Sequence, residues 1–221
     1  MAAGRMGELL KEMYAQLWQG FGPQGWWPGE TPFEVIIGAI LTQNTNWTNV
    51  ALALTGLKAG GLLNPRALRE MPEGELAGRI RSAGYFNVKA RRLKNFLDFF
   101  SHHFQDSLEK MAAADLPSLR TALLTVKGIG PETADSILLY ALHKPTFVVD
   151  AYTFRILSRH LPIPEACSYE ELQELFMENL PAEVSLYQEF HALLVRLGKE
   201  FCRPRPRCPG CPLHEWPVAG E

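Results

Sequence analysis

The sequence contains few cysteines, almost no net charge and no long apolar run. Its 221 residues include four cysteines, and 22 basic side chains stand against 24 acidic ones. The longest apolar run, VIIGAIL at residues 35–41, is too short to cross a bilayer. The near-neutral charge provides no general attraction for phosphate. These deficits argue against a membrane protein, a disulfide-bonded secreted domain and a protein covered in basic residues.

The amino terminus also lacks the uninterrupted apolar segment of a secretion signal. We therefore expect a cytoplasmic protein without a membrane partner, whose cysteines stay reduced and either bind metal or fill the core. The hydrophobic content of 47% is enough to build the core of one large domain or of two small ones.

Apolar residues recur at helical spacing along nearly the whole chain. One helical face is formed by Leu93, Phe96, Leu97, Phe100 and Phe104, and the basic residues within 89–94 fall mostly off it. Only the short FVV run before Asp150 resembles a strand. The sequence therefore predicts an all-α protein. Further helices are predicted at 6–19, 32–43, 46–58, 66–69, 74–83, 117–126, 151–160, 169–179 and 183–200.

Two glycines separate two predicted helices in the segment KGIGP at residues 127–131. Pro131 suits the first position of a helix, where no amide donor is needed. Gly128 and Gly130 permit a tight turn and leave the backbone amides uncovered, so the turn and the helix N-terminus after it form a candidate anion site. A helix–helix turn without any ligand is the alternative.

The hairpin and its surroundings resemble the helix-hairpin-helix of the base-excision DNA glycosylases related to endonuclease III. LLTVKGIGPETADSILLYAL is followed by PTFVVDAYTFRIL, with the family's hairpin, spacing and carboxylate in place. FEVIIGAILTQNT, GYFNVKARRL and GKEFCRPRPRCPGC resemble further parts of the family. The resemblance covers residues 26–211 and implies a DNA repair enzyme that acts on double-stranded DNA with a damaged base, as a nucleoid-associated monomer.

The resemblance also implies two helical subdomains, with a cleft for DNA and the flipped base between them. A central six-helix domain with the hairpin would span residues 31–143. Residues 1–30 and 144–221 would form a discontinuous helical domain that carries Asp150 and a degenerate C-terminal cysteine loop.

Asp150 stands where the family carries its catalytic carboxylate. That group supports positive charge developing on the deoxyribose or prepares the attacking water. An Asp here is also a good helix N-cap, and the two roles are compatible. Strand-cutting members carry a Lys two residues after the second hairpin glycine, where this chain has Glu132. Because a carboxylate cannot form an imine, Glu132, our second catalytic candidate, predicts a hydrolase without strong AP-lyase activity.

Several aromatic residues lie close in sequence to the LTQNT segment. Trp26, Trp27 and Pro28 precede the first core helix, and Trp47 follows Gln43 by one helical turn. This pattern resembles the bacterial 3-methyladenine DNA glycosylase III group, in which the damaged purine stacks among such aromatics. An N3- or N7-alkylated purine is cationic, so indole rings can select it. The alternative is that these tryptophans only attach the N-terminal helix to the core.

The family fills the hole left by the flipped base with a Gln and with a side chain of the loop before the basic helix. In this chain those residues would be Gln43 and either Tyr85 or Phe86. Phosphate contacts would make DNA binding fall steeply with salt despite the near-neutral charge. The complete set of candidate DNA-binding residues is Gln43, Tyr85, Lys89, Arg92, Lys127, Gly128 and Gly130.

Cys202, Cys208 and Cys211 resemble three of the four ligands that hold the family's [4Fe–4S] cluster. Pro217 stands near the place of the fourth cysteine. His214 could complete a site for a cluster or for zinc. Loss of the cluster is an equal alternative, because some members of the resembling group lack it.

Three other functions stay open at this point. A bifunctional endonuclease III-like glycosylase and AP lyase acting on oxidised pyrimidines is opposed by Glu132. A mismatch-specific adenine glycosylase is opposed by the lack of room for the extra domain of such enzymes. A non-enzymatic helix-hairpin-helix DNA-binding protein would need neither Asp150 nor the tryptophans.

Overall fold

The computed structural model describes residues 3–161, 163 and 166–216, and this part of the chain contains helices and no strand, which confirms the all-α class. A 3₁₀ turn covers Arg81–Ala83 and a π-helical segment covers Ile137–Ala141. No described helix is both long and apolar enough to span a membrane. The α-helices are α1 (Ala3–Phe21), α2 (Pro32–Thr42), α3 (Trp47–Ala59), α4 (Pro65–Glu70), α5 (Glu73–Arg79), α6 (Phe86–Phe104), α7 (Leu108–Ala113), α8 (Leu116–Leu124), α9 (Pro131–Ser136), α10 (Ala151–His160), α11 (Tyr169–Asn179) and α12 (Val184–Glu200).

The chain divides into two compact units. Residues 27–144 form one unit, which we call the hairpin unit. Residues 1–26 and 145–221 form the other, which we call the Asp150 unit. The sequence-based prediction had placed these two divisions after residues 30 and 143.

Helix α2 is the centre of the hairpin unit because its sequence is apolar apart from Glu34, which pairs with Lys58, and the terminal Thr42. All residues from Phe33 to Leu41 are buried, as expected of a helix enclosed by other helices. Thr31 caps its start by accepting a hydrogen bond from the Glu34 amide at 3.1 Å. Around α2 pack α3, α6, α9 and the π-helical segment.

Helices α8 and α9 flank the glycine hairpin, as predicted. The second of them begins at Pro131 and continues beyond Ser136 as the π-helical segment. Arg120 of α8 donates two hydrogen bonds to the buried Asp135 of α9, at 2.9 and 3.0 Å. A bidentate pair of this kind fixes the orientation of the two helices that carry the hairpin.

The Asp150 unit is organised around α12, which packs against α1 and α10. Its core contains a group of aromatic rings in which Phe147 and Phe176 stack at 3.7 Å. Phe190 meets Phe147 and Phe176 edge-on at 6.1 and 5.4 Å. Residues 147–149, the FVV run, are buried but irregular. The run therefore anchors the segment before α10 in the core.

Candidate active site

The first hairpin glycine is required by its surroundings. Gly128 has a φ of +100°, which side chains rarely adopt, and a Cβ there would lie 2.4 Å from Cγ of Arg92. Ile129 is 5% exposed and plugs the turn from inside. The methylene groups of Arg92 therefore lie directly on the hairpin backbone.

The second hairpin glycine is required by neither backbone conformation nor packing. Gly130 is the N-cap of α9 with φ −98° and ψ 179°, and apart from its two chain neighbours no heavy atom of the described residues would lie within 4 Å of its Cβ. Its exposed backbone leaves open space before the helix N-terminus, where anions bind well. Lys127 and Glu132 are exposed on either side.

Gln43 ties the end of α2 to the hairpin. Its Nε2 donates to the Gly128 carbonyl at 3.0 Å and to the Thr133 hydroxyl at 2.9 Å. Its Oε1 accepts a hydrogen bond from Nη1 of Arg92. Both side chains were predicted to meet DNA, and in this structure both hold the hairpin instead, so DNA contact by either requires these bonds to exchange.

The loop before α6 presents one aromatic side chain to solvent. Tyr85 is 72% exposed and has a φ of +45°, directly after Gly84 at +69°. Phe86 is half-buried, with the guanidinium of Arg81 5.6 Å from its ring centre. Of the two wedge candidates, Tyr85 is therefore the accessible one.

Lys89 does not fit the predicted phosphate contact. The residue is 1% exposed, and its Nζ donates to the Ala83 carbonyl at 2.7 Å. Burial, and then the charge of Arg92, lowers the pKa of Lys89 to about 8. We therefore correct the prediction, because Lys89 anchors the 3₁₀ turn before Tyr85 and is not presented to a phosphate.

Two predicted pocket tryptophans meet in the hairpin unit. The rings of Trp27 and Trp47 lie 5.4 Å apart, edge to face, and Trp27 lies 5.3 Å from Tyr140. A Cβ at Gly38 would come within 3.1 Å of Trp47 and 3.3 Å of Trp27. Gly38 therefore provides the space in which this aromatic cluster, Trp27, Trp47 and Tyr140, assembles on α2.

The other two predicted pocket residues differ in their surroundings. Trp26 belongs to the Asp150 unit, where Nζ of Lys199 lies 5.4 Å from its ring centre. Pro28 is exposed. A cation on the face of an indole is a stabilising contact in its own right.

Asp150 is the N-cap of α10, as the sequence predicted. Its Oδ1 accepts hydrogen bonds from the amide and the hydroxyl of Thr153 at 2.7 and 2.9 Å. Its Oδ2 lies 3.7 Å from Nε2 of His191, a residue of α12 that is 5% exposed. Burial alone raises the pKa of Asp150, but the nearby His191 and the bonds from Thr153 outweigh it, and the net pKa is lowered. The carboxylate is thereby held in its ionised form.

Hydrogen bonds from Arg159 of α10 hold the start of the C-terminal cysteine loop. Sγ of the buried Cys202 accepts a hydrogen bond from Arg159 at 3.2 Å. The same guanidinium donates to the carbonyls of Arg203 and Pro204 at 2.8 and 3.0 Å. Three bonds from one side chain therefore fix the start of the loop.

The donors in this loop do not fit a four-ligand cluster. Burial raises the pKa of the Cys211 thiol, a hydrogen bond from the Leu213 amide lowers it, and the neighbouring Cys202 and Cys208 raise it. His214 is exposed, and Pro217 lies outside the described residues. Among residues 3–161, 163 and 166–216, no three His, Cys, Asp or Glu side chains are placed to hold a metal ion.

The hairpin, the aromatic cluster and Asp150 all lie in or beside a region that matches a known family model. Residues 37–182 match the HhH-GPD superfamily of base excision DNA repair proteins. The chain belongs to this superfamily. The match confirms the resemblance seen in the sequence and identifies the HhH-GPD chain as a DNA glycosylase of base excision repair.

Known relatives of the HhH-GPD chain agree with this assignment. A Methanocaldococcus jannaschii protein, MJ1434, provisionally named a DNA repair glycosylase, is 46% identical over 211 residues, which cover 95% of this chain and 96% of the relative. The crystal structure of H. pylori 3-methyladenine DNA glycosylase bound to 1,N6-ethenoadenine is 30% identical, with a TM-score of 0.73, and covers 90% of this chain and 98% of that one. A non-covalent endonuclease III–DNA complex shares the fold, with a TM-score of 0.79 at 21% identity, covering 95% of this chain and 94% of that one.

Three residues that contact the candidate site residues of the HhH-GPD chain were not identified from the sequence. Tyr140 and Thr133 lie in the helix after the hairpin, where only periodicity was considered, and His191 lies within a predicted helix far from Asp150 in sequence. Only His191 could have been recognised from the sequence, because it is an ionisable side chain within the otherwise apolar run FHALLV. The contacts of Tyr140 and Thr133 depend on packing between distant segments.

Proposed function

We propose that this HhH-GPD protein is a monofunctional DNA glycosylase that hydrolyses the N-glycosidic bond of N3- or N7-alkylated purines in duplex DNA. The observation that carries the proposal is the cluster of Trp27, Trp47 and Tyr140 around Gly38. A cationic base gains cation–π attraction among electron-rich rings that a neutral base lacks. The likeness to a 3-methyladenine glycosylase supports the same substrate class.

Asp150 is proposed as the catalytic carboxylate. When the bond between C1′ and the purine nitrogen breaks, its electron pair leaves with the base and positive charge develops on the sugar. An ionised carboxylate stabilises that charge electrostatically. Water then adds to C1′ and loses a proton, which leaves a free base and an abasic site. The alkylated purine needs little acid assistance because it departs without a positive charge.

Glu132 supports a reaction without strand cleavage. It is exposed in the first turn of α9, at the position where strand-cutting members of the family carry their lysine. A carboxylate cannot attack C1′ to form an imine, so the abasic site is released intact. Its negative charge also suits a helix N-terminus.

The hairpin unit is proposed to hold the DNA. A backbone phosphate would bind at the open backbone of Gly130, with Lys127 beside it. Tyr85 would enter the stack where the base is flipped out. Gln43 would join it after exchanging its bonds to the hairpin, and Arg92, released at the same time, would be free to meet a phosphate.

The proposal is tested by incubating the protein with methylated duplex DNA and identifying the released bases by chromatography. We expect 3-methyladenine or 7-methylguanine in the supernatant, and an unbroken strand until alkali is added. Borohydride trapping of a covalent DNA adduct would favour the bifunctional alternative. DNA binding with no base released would favour a binding module and contradict the proposal.

A further inference from the structure

Asp150 engages its two carboxylate oxygens differently. Oδ1 accepts both hydrogen bonds from Thr153, which cap α10. Oδ2 takes no part in the cap and faces Nε2 of His191 at 3.7 Å. At this distance the imidazole N–H acts on Oδ2 as a long, mainly electrostatic donor, and the side chains of His191 and Asp150 are only 6% and 12% exposed. Oδ2, the oxygen that does not cap α10, is therefore the one that faces His191.

Close packing of α12 against α10 brings His191 to this place. A Cβ at Gly198 would lie 2.3 Å from Cδ1 of Tyr152, so only glycine lets the two helices approach this far. Arg155 of α10 donates to the Gly198 carbonyl at 3.3 Å and to the Cys202 carbonyl at 2.7 Å. His191 precedes Gly198 by two helical turns and therefore lies on the same face of α12.

The same face of α12 also contacts the segment before α10. Tyr187, one turn before His191, meets the ring of Phe147 edge-on at 5.5 Å. Successive turns of α12 therefore contact Phe147, then Asp150, then the first turn of α10. Because these contacts fix α12 on both sides of His191, the histidine cannot move away from Asp150 without disturbing the packing of α12 against α10.

We propose that His191 is a positioning residue for the glycosylase reaction, which holds Oδ2 of Asp150 ionised and oriented toward the sugar. The inference rests on the proposed role of Asp150. Among the described residues outside the cap, His191 is the group whose N–H, and whose charge when the imidazole is protonated, lowers the pKa of this carboxylate. Arg155 is directed to main-chain carbonyls, and the Tyr169 hydroxyl of α11 accepts from the neighbouring Val149 amide at 3.4 Å. The structure thus assigns one partner to the free oxygen of Asp150.

The test compares His191→Gln with His191→Met, because these side chains have nearly the same shape and only Gln carries an N–H donor. Single-turnover base release should fall about tenfold to a hundredfold in the Met variant, the range for groups that orient a functional side chain, and less in the Gln variant. Affinity for duplex DNA carrying a stable abasic-site analogue should not change. His102→Gln, an exposed histidine on α6, is the matched control and should keep the wild-type rate.

A second measurement does not need activity. Titration of the ¹³C-labelled Asp150 carboxyl by NMR should give a pKa below the usual Asp range in the wild type and a higher one in the Met variant, because burial still acts there and His191 is gone. In the pH–rate profile of base release, the low-pH side should move to higher pH in the Met variant for the same reason. Unchanged titration, or equal losses of rate in the Gln and Met variants, would overturn the inference. Absence of base release by the wild type would instead contradict the proposed function while leaving the titration result to decide on His191.

Discussion

Two lysines near the hairpin differ in what they offer to DNA. Lys127 is exposed beside the hairpin, whereas Lys89 is buried and donates to the Ala83 carbonyl. A lysine contributes to counterion release only if its ammonium reaches a phosphate. In the sequence Lys127 belongs to the hairpin segment and Lys89 to the basic run 89–94, so both are candidates for phosphate contact. Their different burial in the structure distinguishes them.

We expect Lys127→Met to lower the slope of log affinity against log salt by about one, and Lys89→Met to leave that slope unchanged. The measurement is fluorescence anisotropy with duplex DNA carrying a stable abasic-site analogue, at salt concentrations from about 50 to 200 mM. A weaker overall affinity of the Lys89 variant is compatible with this account, because Lys89 supports the loop of Tyr85. A reduced salt slope for that variant would contradict it.

The burial of Lys89 could have been read from the sequence. Lys89 precedes Leu93 by four residues and Phe96 by seven, so it lies on the apolar face that those residues define. The basic run 89–94 was interpreted as a unit, although a helix separates its members onto different faces. The bonds of Gln43 and Arg92 to the hairpin could not be predicted, because they depend on how three separate segments pack.

At the scale of helices, the approach of α10 to α12 depends on one glycine. Gly198→Ala places a methyl group 2.3 Å from the Tyr152 ring. We expect the free energy of unfolding to fall by about 1–3 kcal/mol, the cost of overpacking, and base release to fall as His191 moves away from Asp150. Urea unfolding and single-turnover kinetics measure the two effects.

Gly56→Ala is the matched control for this prediction. Gly56 lies within α3, and apart from its chain neighbours and the nearby backbone of α3 no heavy atom of the described residues would lie within 4 Å of its Cβ. Alanine in an exposed helix interior should stabilise the protein by about 0.4–1 kcal/mol. Equal effects of the two substitutions would show that close packing of α10 and α12 is unimportant.

A substitution in the hairpin should weaken DNA binding without changing the stability of the fold. Gly130→Ala requires no unusual φ and, apart from its chain neighbours, meets no atom of the described residues, so we expect the Tm to stay within a few degrees of the wild type. The added methyl group occupies the space proposed for a phosphate, so DNA affinity should fall about tenfold. Gel-shift assays and thermal unfolding of the same sample measure both. Unchanged DNA affinity would place the phosphate elsewhere.

The C-terminal loop should keep its structure without a metal. Arg159 fixes the start of the loop through Cys202, Arg203 and Pro204. We therefore expect Cys208→Ser, at an exposed position, to leave the Tm and the visible absorbance of anaerobically purified protein unchanged. A brown wild-type protein that loses iron and stability in this variant would contradict the account of the loop.

Helices were predicted well where caps and periodicity coincide. The bounds of α10 and α11 match the predicted 151–160 and 169–179, and both begin after a capping Asp or Ser. Helix α7, at Leu108–Ala113, was not predicted, because six residues give too short a pattern for a helical period. The FVV run has the residues of a strand but no second strand to pair with among the described residues.

At the scale of the whole molecule, the groups proposed for catalysis come from both units. Asp150 and His191 belong to one, and the hairpin, Tyr85 and the aromatic cluster to the other. The family assignment extends over both, since residues 37–182 match the superfamily. The fold class could be read from helical periodicity alone. The aromatic cluster proposed as the base pocket depends on the packing of Trp27 against Tyr140, which periodicity does not reveal.

An ionised carboxylate at position 150 is proposed to drive release of an alkylated purine. Asp150→Asn keeps a side-chain oxygen for the cap of α10, so folding and affinity for damaged DNA should be retained. The most direct measurement is single-turnover release of 3-methyladenine from a defined duplex by the wild type and by this variant. We expect a loss on the order of a hundredfold or more in the variant. Release at the wild-type rate by a folded, DNA-binding Asp150→Asn protein would contradict it.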